Sequence, residues 1–181
     1  GIQNLNSMVA NVGVDLIKVN PRPTTLKKIR NAAFFKIGNP NWGEHRVQFA
    51  GVAQTALLYH APLVVWGEDI AQEFGGNIDK EATEAGSAEN LINNDLFREA
   101  ALDDLIGSET RPSELLFYMH PDKNDLKRRG IRTIYLGHYR YWDGTKHYLK
   151  AREFGFVPRR EGPLSGNVLP YDNIDEKLCE I

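Results

Sequence analysis

The segment Trp66–Gly76 carries the residue types best suited to chemistry, because it follows an apolar run, LVVW, that is typical of a buried strand. In open α/β sheets, ligands bind beyond the carboxyl ends of the strands, and Gly67 lets a ligand approach the backbone closely there. Glu68 and Glu73 follow at positions from which both carboxylates can face such a crevice and hold a magnesium ion, a ribose hydroxyl or a substrate ammonium. The alternative is that Glu68 and Asp69 cap a helix N-terminus, where the helix dipole favours negative charge. The residues by themselves leave both interpretations open.

A second candidate is the loop predicted for Asn39–Arg46 (NPNWGEHR), which combines an aromatic ring with titratable and cationic groups. Trp42, predicted to be exposed, suits stacking on a base or a sugar. Arg46 suits a phosphate, and His45 stands beside it in the sequence. A surface loop that packs its own tryptophan into the core needs none of this chemistry, and that interpretation also stays open.

A third candidate is His138–Trp142 (HYRYW), in which aromatic rings alternate with Arg140. Such an arrangement can form a stacking platform, although an aromatic cluster that faces the core is the favoured interpretation. The chain contains no GxSxG, Walker A or GxGxxG sequence. Its histidines do not have the spacing of zinc ligands, so no zinc site is expected.

The elements that must position these residues alternate between short apolar runs and helical patterns. Strands are predicted at Asp15–Val19, Leu63–Trp66 and Arg132–Leu136, with the second covered on both faces. This alternation favours an α/β fold whose parallel strands are joined by crossover helices. A helix is predicted at Thr24–Ile37, with Thr24 or Thr25 as its N-cap and Gly38 at its end, and a buried helix is predicted at Arg46–His60. Further helices are predicted at Pro112–Tyr118, Asp122–Arg129 and Asp143–Phe154, the last followed by Gly155.

Residues 77–111 differ in character, since many of them are acidic or small and they show no strong period. We interpret them as an exposed excursion that ends in a helix near Asp95–Ile106. Its length fits either a functional lid or an insertion without a function. The chain therefore divides into residues 1–76 as a partial α/β core, residues 77–111, and residues 112–181 with the remaining strand and the C-terminal helices.

Composition excludes several classes of function. The net charge of −2 disfavours a general nucleic-acid binder. Cys179 is the single cysteine, which excludes an internal disulfide and CxxC metal sites. No apolar run approaches the ~20 residues that span a bilayer, and the first residues do not have the pattern of a signal peptide. We therefore expect no nucleic-acid partner, no membrane partner and a cytoplasmic location.

The stretch PLVVWGEDIAQEFGG (Pro62–Gly76) resembles the N-acetyl sugar amidotransferases of the PP-loop ATP pyrophosphatase superfamily, which act in surface-polysaccharide (lipopolysaccharide) and pseudaminic or legionaminic acid pathways. The matching residues are Trp66, Gly67, Glu68, Glu73 and Gly75, and Asp69 stands where Asn is common. Agreement extends to Gly13–Pro21, to Tyr135–Gly144 and to the stretch from Gly155 through Lys177, in the expected order. The sequence around Trp42 departs from the family, where cysteines are expected.

The resemblance implies a three-layer, mostly parallel sheet with flanking helices, of the PP-loop or adenine nucleotide alpha hydrolase type, incomplete and with a helical C-terminal part. The family's Ser-Gly-Gly-x-Asp-Ser loop, which holds ATP phosphates, does not occur in this sequence. The resemblance therefore implies a fragment truncated at both ends that does not turn over substrate alone.

The implied activity is the ATP- and magnesium-dependent adenylation of a sugar N-acetyl group, followed by replacement of AMP with ammonia from a partner glutaminase. The implied substrate is a nucleotide-sugar. Gly67, Glu68 and Glu73 would line its crevice, with Glu68 orienting substrate or magnesium, and His45 and Arg46 would face the reacting phosphates. Three alternatives stay open: another PP-loop enzyme such as a tRNA thiolase or a synthetase-like amidase, a non-catalytic α/β binding module, and a homo-oligomer formed through exposed sheet edges.

Overall fold

A computed structural model describes residues 2–67, 102–106, 110–141, 143–163 and 168–171. The chain forms two compact units, a larger unit from Val19 to Tyr141 and a smaller unit that joins Gly1–Lys18 to Trp142–Ile181. The larger unit contains α2 (Pro23–Ile37), α3 (Trp42–Tyr59), β1 (Leu63–Trp66), α4 (Leu102–Ile106), α5 (Pro112–Leu115) with a 3-10 turn (Leu116–Tyr118), α6 (Lys123–Arg128), β2 (Arg132–Tyr135) and α7 (Leu136–Tyr139). The smaller unit contains α1 (Ile2–Met8), a π-helical turn (Val9–Gly13) and α8 (Gly144–Glu153).

Helix α2 has the predicted extent but not the predicted N-cap. Pro23 occupies the first turn, where its fixed φ suits a helix start, and Arg22 is the N-cap residue without a side-chain hydrogen bond. Thr25 is instead buried, and its hydroxyl donates to Glu114 over 3.3 Å. The helix ends at Gly38, whose φ of 69° allows the closing turn, as predicted.

Helix α3 begins at Trp42, so the loop predicted for Asn39–Arg46 is wrong in its second half. Burial explains the earlier start, because the Trp42 ring packs into the core beside α2. Gly43 allows the two helices to approach closely, since an added Cβ would lie 3.0 Å from Cγ2 of Ile29. The prediction that this helix is buried is wrong at its C-terminal end, where Leu58 and Tyr59 are exposed.

The core of the larger unit forms where α2, the start of α3, α4 and the α5 turn meet. Trp42, Tyr118 and Ile29 are its largest fully buried side chains. The cluster consists of Ile29, Ala33, Trp42, Leu102, Leu105, Ile106, Leu115 and Tyr118.

The two described strands pair in parallel, which confirms a parallel α/β arrangement for this part of the chain. Their register is Leu63↔Arg132, Val64↔Thr133, Val65↔Ile134 and Trp66↔Tyr135. The strand predicted at Asp15–Val19 is wrong, since these residues carry no regular structure. The prediction that β1 is covered on both faces is also wrong, because Leu63 and Val65 are 41% and 51% exposed.

The smaller unit is held together by asparagine side chains of its N-terminal segment. The Asn4 amide donates to the Val157 carbonyl over 3.0 Å and accepts from the Val157 N–H over 2.9 Å. Asn11 donates to the Phe154 carbonyl over 2.9 Å. Gly155 has the positive φ, 87°, predicted for the residue after the helix.

Of the excursion predicted at residues 77–111, the structure describes only residues 102–106 and 110–111, and the helix predicted near Asp95–Ile106 is seen at Leu102–Ile106. Within the described ranges, no helix is both long enough and apolar enough to cross a membrane.

Candidate functional site

Two candidate segments leave the strand pair at the same edge. Because Trp66 pairs with Tyr135 in a parallel register, Gly67 follows β1 and α7 follows β2 at the carboxyl edge of the pair. This is the edge at which open α/β sheets bind ligands. An added Cβ at Gly67 would meet no atom within 4 Å, so the backbone there is open to an approaching group.

The residues after β2 present aromatic and cationic groups to solvent. Tyr139 is 59% exposed and Tyr141 is 90% exposed, so the favoured interpretation of a core-facing aromatic cluster is wrong for these two rings. Arg140 lies between them, also exposed, and its backbone N–H donates to the Leu136 carbonyl over 3.0 Å. Exposed rings beside a guanidinium suit a ligand that combines a planar ring with an anionic group.

The predicted carboxylates lie outside the described residues. Glu68, Asp69 and Glu73, with Gly75, belong to this undescribed part, so their expected place at the crevice stays a prediction. Within the described residues, no group of three or more His, Cys, Asp or Glu side chains could hold a metal ion.

Helix α3 contacts the last residue of β1. The Phe49 ring contacts the ring of Trp66, the last residue of β1, with 4.8 Å between centroids. A short turn joins the end of α3 to the start of β1. His45 and Arg46 lie about one helical turn before Phe49 in the sequence of α3.

Trp42 and Arg46, in the first turn of α3, contact other parts of the protein. Trp42 is 1% exposed, so the predicted exposed ring for stacking is wrong, and the alternative of a tryptophan packed into the core holds. The Arg46 guanidinium lies 5.4 Å from the centre of the Trp42 ring, and its Nε donates to the Tyr118 carbonyl over 3.0 Å. Burial lowers the pKa of Arg46.

Several buried polar atoms near this turn have no hydrogen-bond partner among the described residues, although such atoms are normally paired. They are Nε1 of Trp42, Oε2 of Glu44, Nδ1 of His45 and the hydroxyl of Tyr118. The other Glu44 oxygen pairs with Arg30. Burial raises the pKa of Tyr118 to about 12, so this hydroxyl keeps its proton and remains a donor at neutral pH.

No protein-family model matches the chain, and no curated protein matches it either.

The sequence did not reveal the residues that hold the 3-10 turn against α3. Gln54 donates to the carbonyls of Leu116 and Met119, while Arg46 holds that of Tyr118. Arg46 and Gln54 are eight positions apart on one helix, which places them on one face. This spacing is visible in the sequence, but it does not show that the two side chains bind the carbonyls of the 3-10 turn.

Proposed function

We propose that the carboxyl edge of the β1–β2 pair binds an adenine nucleotide, and that the chain is part of an ATP-dependent amidotransferase of the N-acetyl sugar type. The observation that carries this proposal is the parallel pairing, which brings open backbone at Gly67 and the exposed segment Tyr139–Tyr141 to one edge. The order of the matching motifs supports the finer fold, a three-layer PP-loop arrangement.

The proposed reaction needs ATP because an amide oxygen is a very poor leaving group. The acetamido oxygen attacks the α-phosphorus of ATP and pyrophosphate leaves. Ammonia then adds to the activated carbon, and AMP departs with the former amide oxygen. The acetamido group becomes an acetamidino group, with the ammonia supplied by a glutaminase partner.

Each group at the edge has a role in this proposal. Tyr141 offers a face for the base, and the exposed Arg140 meets the phosphates. His45 would face the phosphates in this proposal, while Arg46 donates to the Tyr118 carbonyl and so holds the first turn of α3. Trp42 has no ligand role, because its ring is buried.

The described residues do not form a magnesium site, since they bring together no suitable group of ligands. The carboxylates expected to hold the ion, Glu68 and Glu73, lie outside them. Substituting Glu68→Gln in the complete enzyme is expected to reduce turnover sharply while the fold survives, and unchanged turnover would remove Glu68 from the proposal.

The test at the described edge is calorimetric titration of ATP, with magnesium present, into the chain and two variants. Arg140→Gln is expected to weaken binding roughly tenfold, because a hydrogen bond to a charged group contributes about 1.5–3 kcal/mol and 1.4 kcal/mol corresponds to a factor of ten. Arg132→Gln is the matched control, since Arg132 is also exposed and lies at the opposite end of β2. Its affinity is expected to equal that of the unmodified chain.

Two results would contradict the proposal. Equal losses of ATP affinity in both variants would show that the affinity depends only on general positive charge. Absence of ATP binding to a folded chain would contradict a nucleotide site at this edge.

A further inference from the structure

The stretch Asp15–Val19 (DLIKV) has the composition of a strand, but it carries no regular structure. It follows Val14, whose φ of −106° and ψ of 151° are those of an extended chain. No backbone group of residues 14–21 is hydrogen-bonded to another described residue. Leu16 and Ile17 are each 48% exposed. The backbone and the apolar side chains of this stretch are therefore available to a partner strand.

Strand β2 has an edge that such a strand can join. The sheet formed by the described residues contains β1 and β2, which pair with each other along one edge of each strand. The other edge of β2 therefore has no strand partner among these residues. Main-chain N–H and C=O groups along an unpaired edge bind an added strand.

Charge determines how the stretch aligns with β2. Asp15 and Arg132 are both exposed, and neither forms an ion pair with another described residue. A parallel alignment that places Asp15 beside Arg132 brings opposite charges together on neighbouring strands, which is stabilising. An antiparallel alignment over the same residues places Lys18 beside Arg132 instead, and like charges there are destabilising. The charges therefore favour the parallel alignment.

The same alignment also brings apolar side chains together. It places Ile17 beside Ile134, which the register of the strand pair already places beside Val65. Because alternate residues of a strand share one face, these three side chains form a row. Val65 is 51% exposed and Ile17 is 48% exposed, so the row removes apolar surface from water. A shift of one residue would move Ile17 to the other face and separate the two charges.

We propose that Asp15–Lys18 of one copy of the chain adds as a third parallel strand to the unpaired edge of β2 in a second copy. Strand and edge match in charge and in apolar pattern, while the stretch leaves its backbone unpaired within its own chain. Each copy has both the strand and the edge, so a reciprocal exchange closes a symmetric dimer. This inference does not depend on the nucleotide proposal.

The test is sedimentation equilibrium of the chain and of two charge variants. The unmodified chain is expected to show a monomer–dimer equilibrium. Asp15→Arg and Arg132→Asp each place like charges at both interfaces of the dimer. Each is expected to raise the dimer dissociation constant roughly tenfold, because a reciprocal dimer contains two such pairs.

An equimolar mixture of the two variants separates exchange between copies from a general effect of charge. In a mixed dimer the substituted positions face each other with opposite charges, and the second interface keeps Asp15 and Arg132. The mixture is therefore expected to dimerise about as tightly as the unmodified chain. Lys27→Glu is the control, because Lys27 is exposed and lies in α2, away from both strand and edge, and its dimerisation is expected to be unchanged.

The proposal is overturned by a folded chain that stays monomeric at millimolar concentration, by single variants that dimerise as tightly as the unmodified chain, or by a mixture that stays monomeric. Circular dichroism checks that each variant is folded. If Arg132→Asp does not fold, the comparison of Asp15→Arg with Lys27→Glu decides the matter, because Asp15 lies in a stretch without regular structure.

Discussion

The substitution Tyr118→Phe removes one oxygen atom from the core and should change how stability depends on pH. Tyr118 is 0% exposed, and its hydroxyl has no hydrogen-bond partner among the described residues. Removing an unpaired buried hydroxyl is nearly neutral or slightly stabilising, so at pH 8 the free energy of unfolding should change by less than about 1 kcal/mol.

The two proteins should diverge at alkaline pH. Burial raises the pKa of Tyr118 from 10.0 to about 12, so the folded state keeps a proton that the unfolded state has lost. The stability linked to this group is therefore complete below pH 10.0 and is lost as the pH rises towards 12. At roughly 1.4 kcal/mol per pKa unit, the loss is on the order of 1 kcal/mol at pH 11 and on the order of 2 kcal/mol above pH 12. Phenylalanine has no proton to lose, so Tyr118→Phe should escape this part of the decline.

Urea unfolding of both proteins at pH 8, 9, 10 and 11 measures the difference directly. The stability of Tyr118→Phe relative to the unmodified chain should rise with pH, gaining on the order of 1 kcal/mol between pH 8 and pH 11. Tyr141→Phe is the matched control, because its hydroxyl, on a residue that is 90% exposed, contacts water in both states. A Tyr118→Phe difference that stays constant across the series would refute the reasoning, and so would a control that shows the same rise.

Two further substitutions test the packing of each unit. Gly155→Ala should destabilise the smaller unit by about 2 kcal/mol or more in thermal unfolding, because φ is 87° and the new Cβ would lie 2.7 Å from Nδ2 of Asn11. Gly162→Ala, with φ 86° and no atom within 4 Å, should cost only about 1 kcal/mol, so equal losses would contradict the Asn11 contact. Arg46→Ala should lower the free energy of unfolding by about 2 kcal/mol, since it leaves the Tyr118 carbonyl without its charged donor. Unchanged urea stability of this variant would show that the contact is not structural.

The sequence predicted helices and local turns well where the signal lies in a few neighbouring residues. Gly38 and Gly155 have the positive φ values expected of residues that end a helix. The helix predicted at Asp122–Arg129 is α6, and Asp122 caps its start by accepting from the N–H of Asn124. The runs LVVW and RTIY form strands because β-branched and aromatic residues suit a pleated surface.

Features set by distant parts of the chain were not predicted. Trp42 looked like a loop residue, because its neighbours Pro40 and Gly43 are typical of turns, yet contact with α2 extends the helix over it. The run DLIKV has the composition of a strand, but a strand needs a partner, and Leu16 and Ile17 remain half exposed. For the candidate site, the sequence identified Gly67 and Arg140 as separate candidates. The parallel register then assigned them to one edge, and local patterns do not encode register.

The most direct test of the nucleotide proposal is a titration of the isotope-labelled chain with ATP and magnesium, followed through its backbone amide resonances. The proposal predicts saturable shifts at Gly67 and across Leu136–Tyr141, with little change at the opposite edge, across Arg129–Arg132. Shifts at the opposite edge alone, or no shifts at millimolar ATP in a folded chain, would contradict the proposal that this carboxyl edge is a nucleotide site.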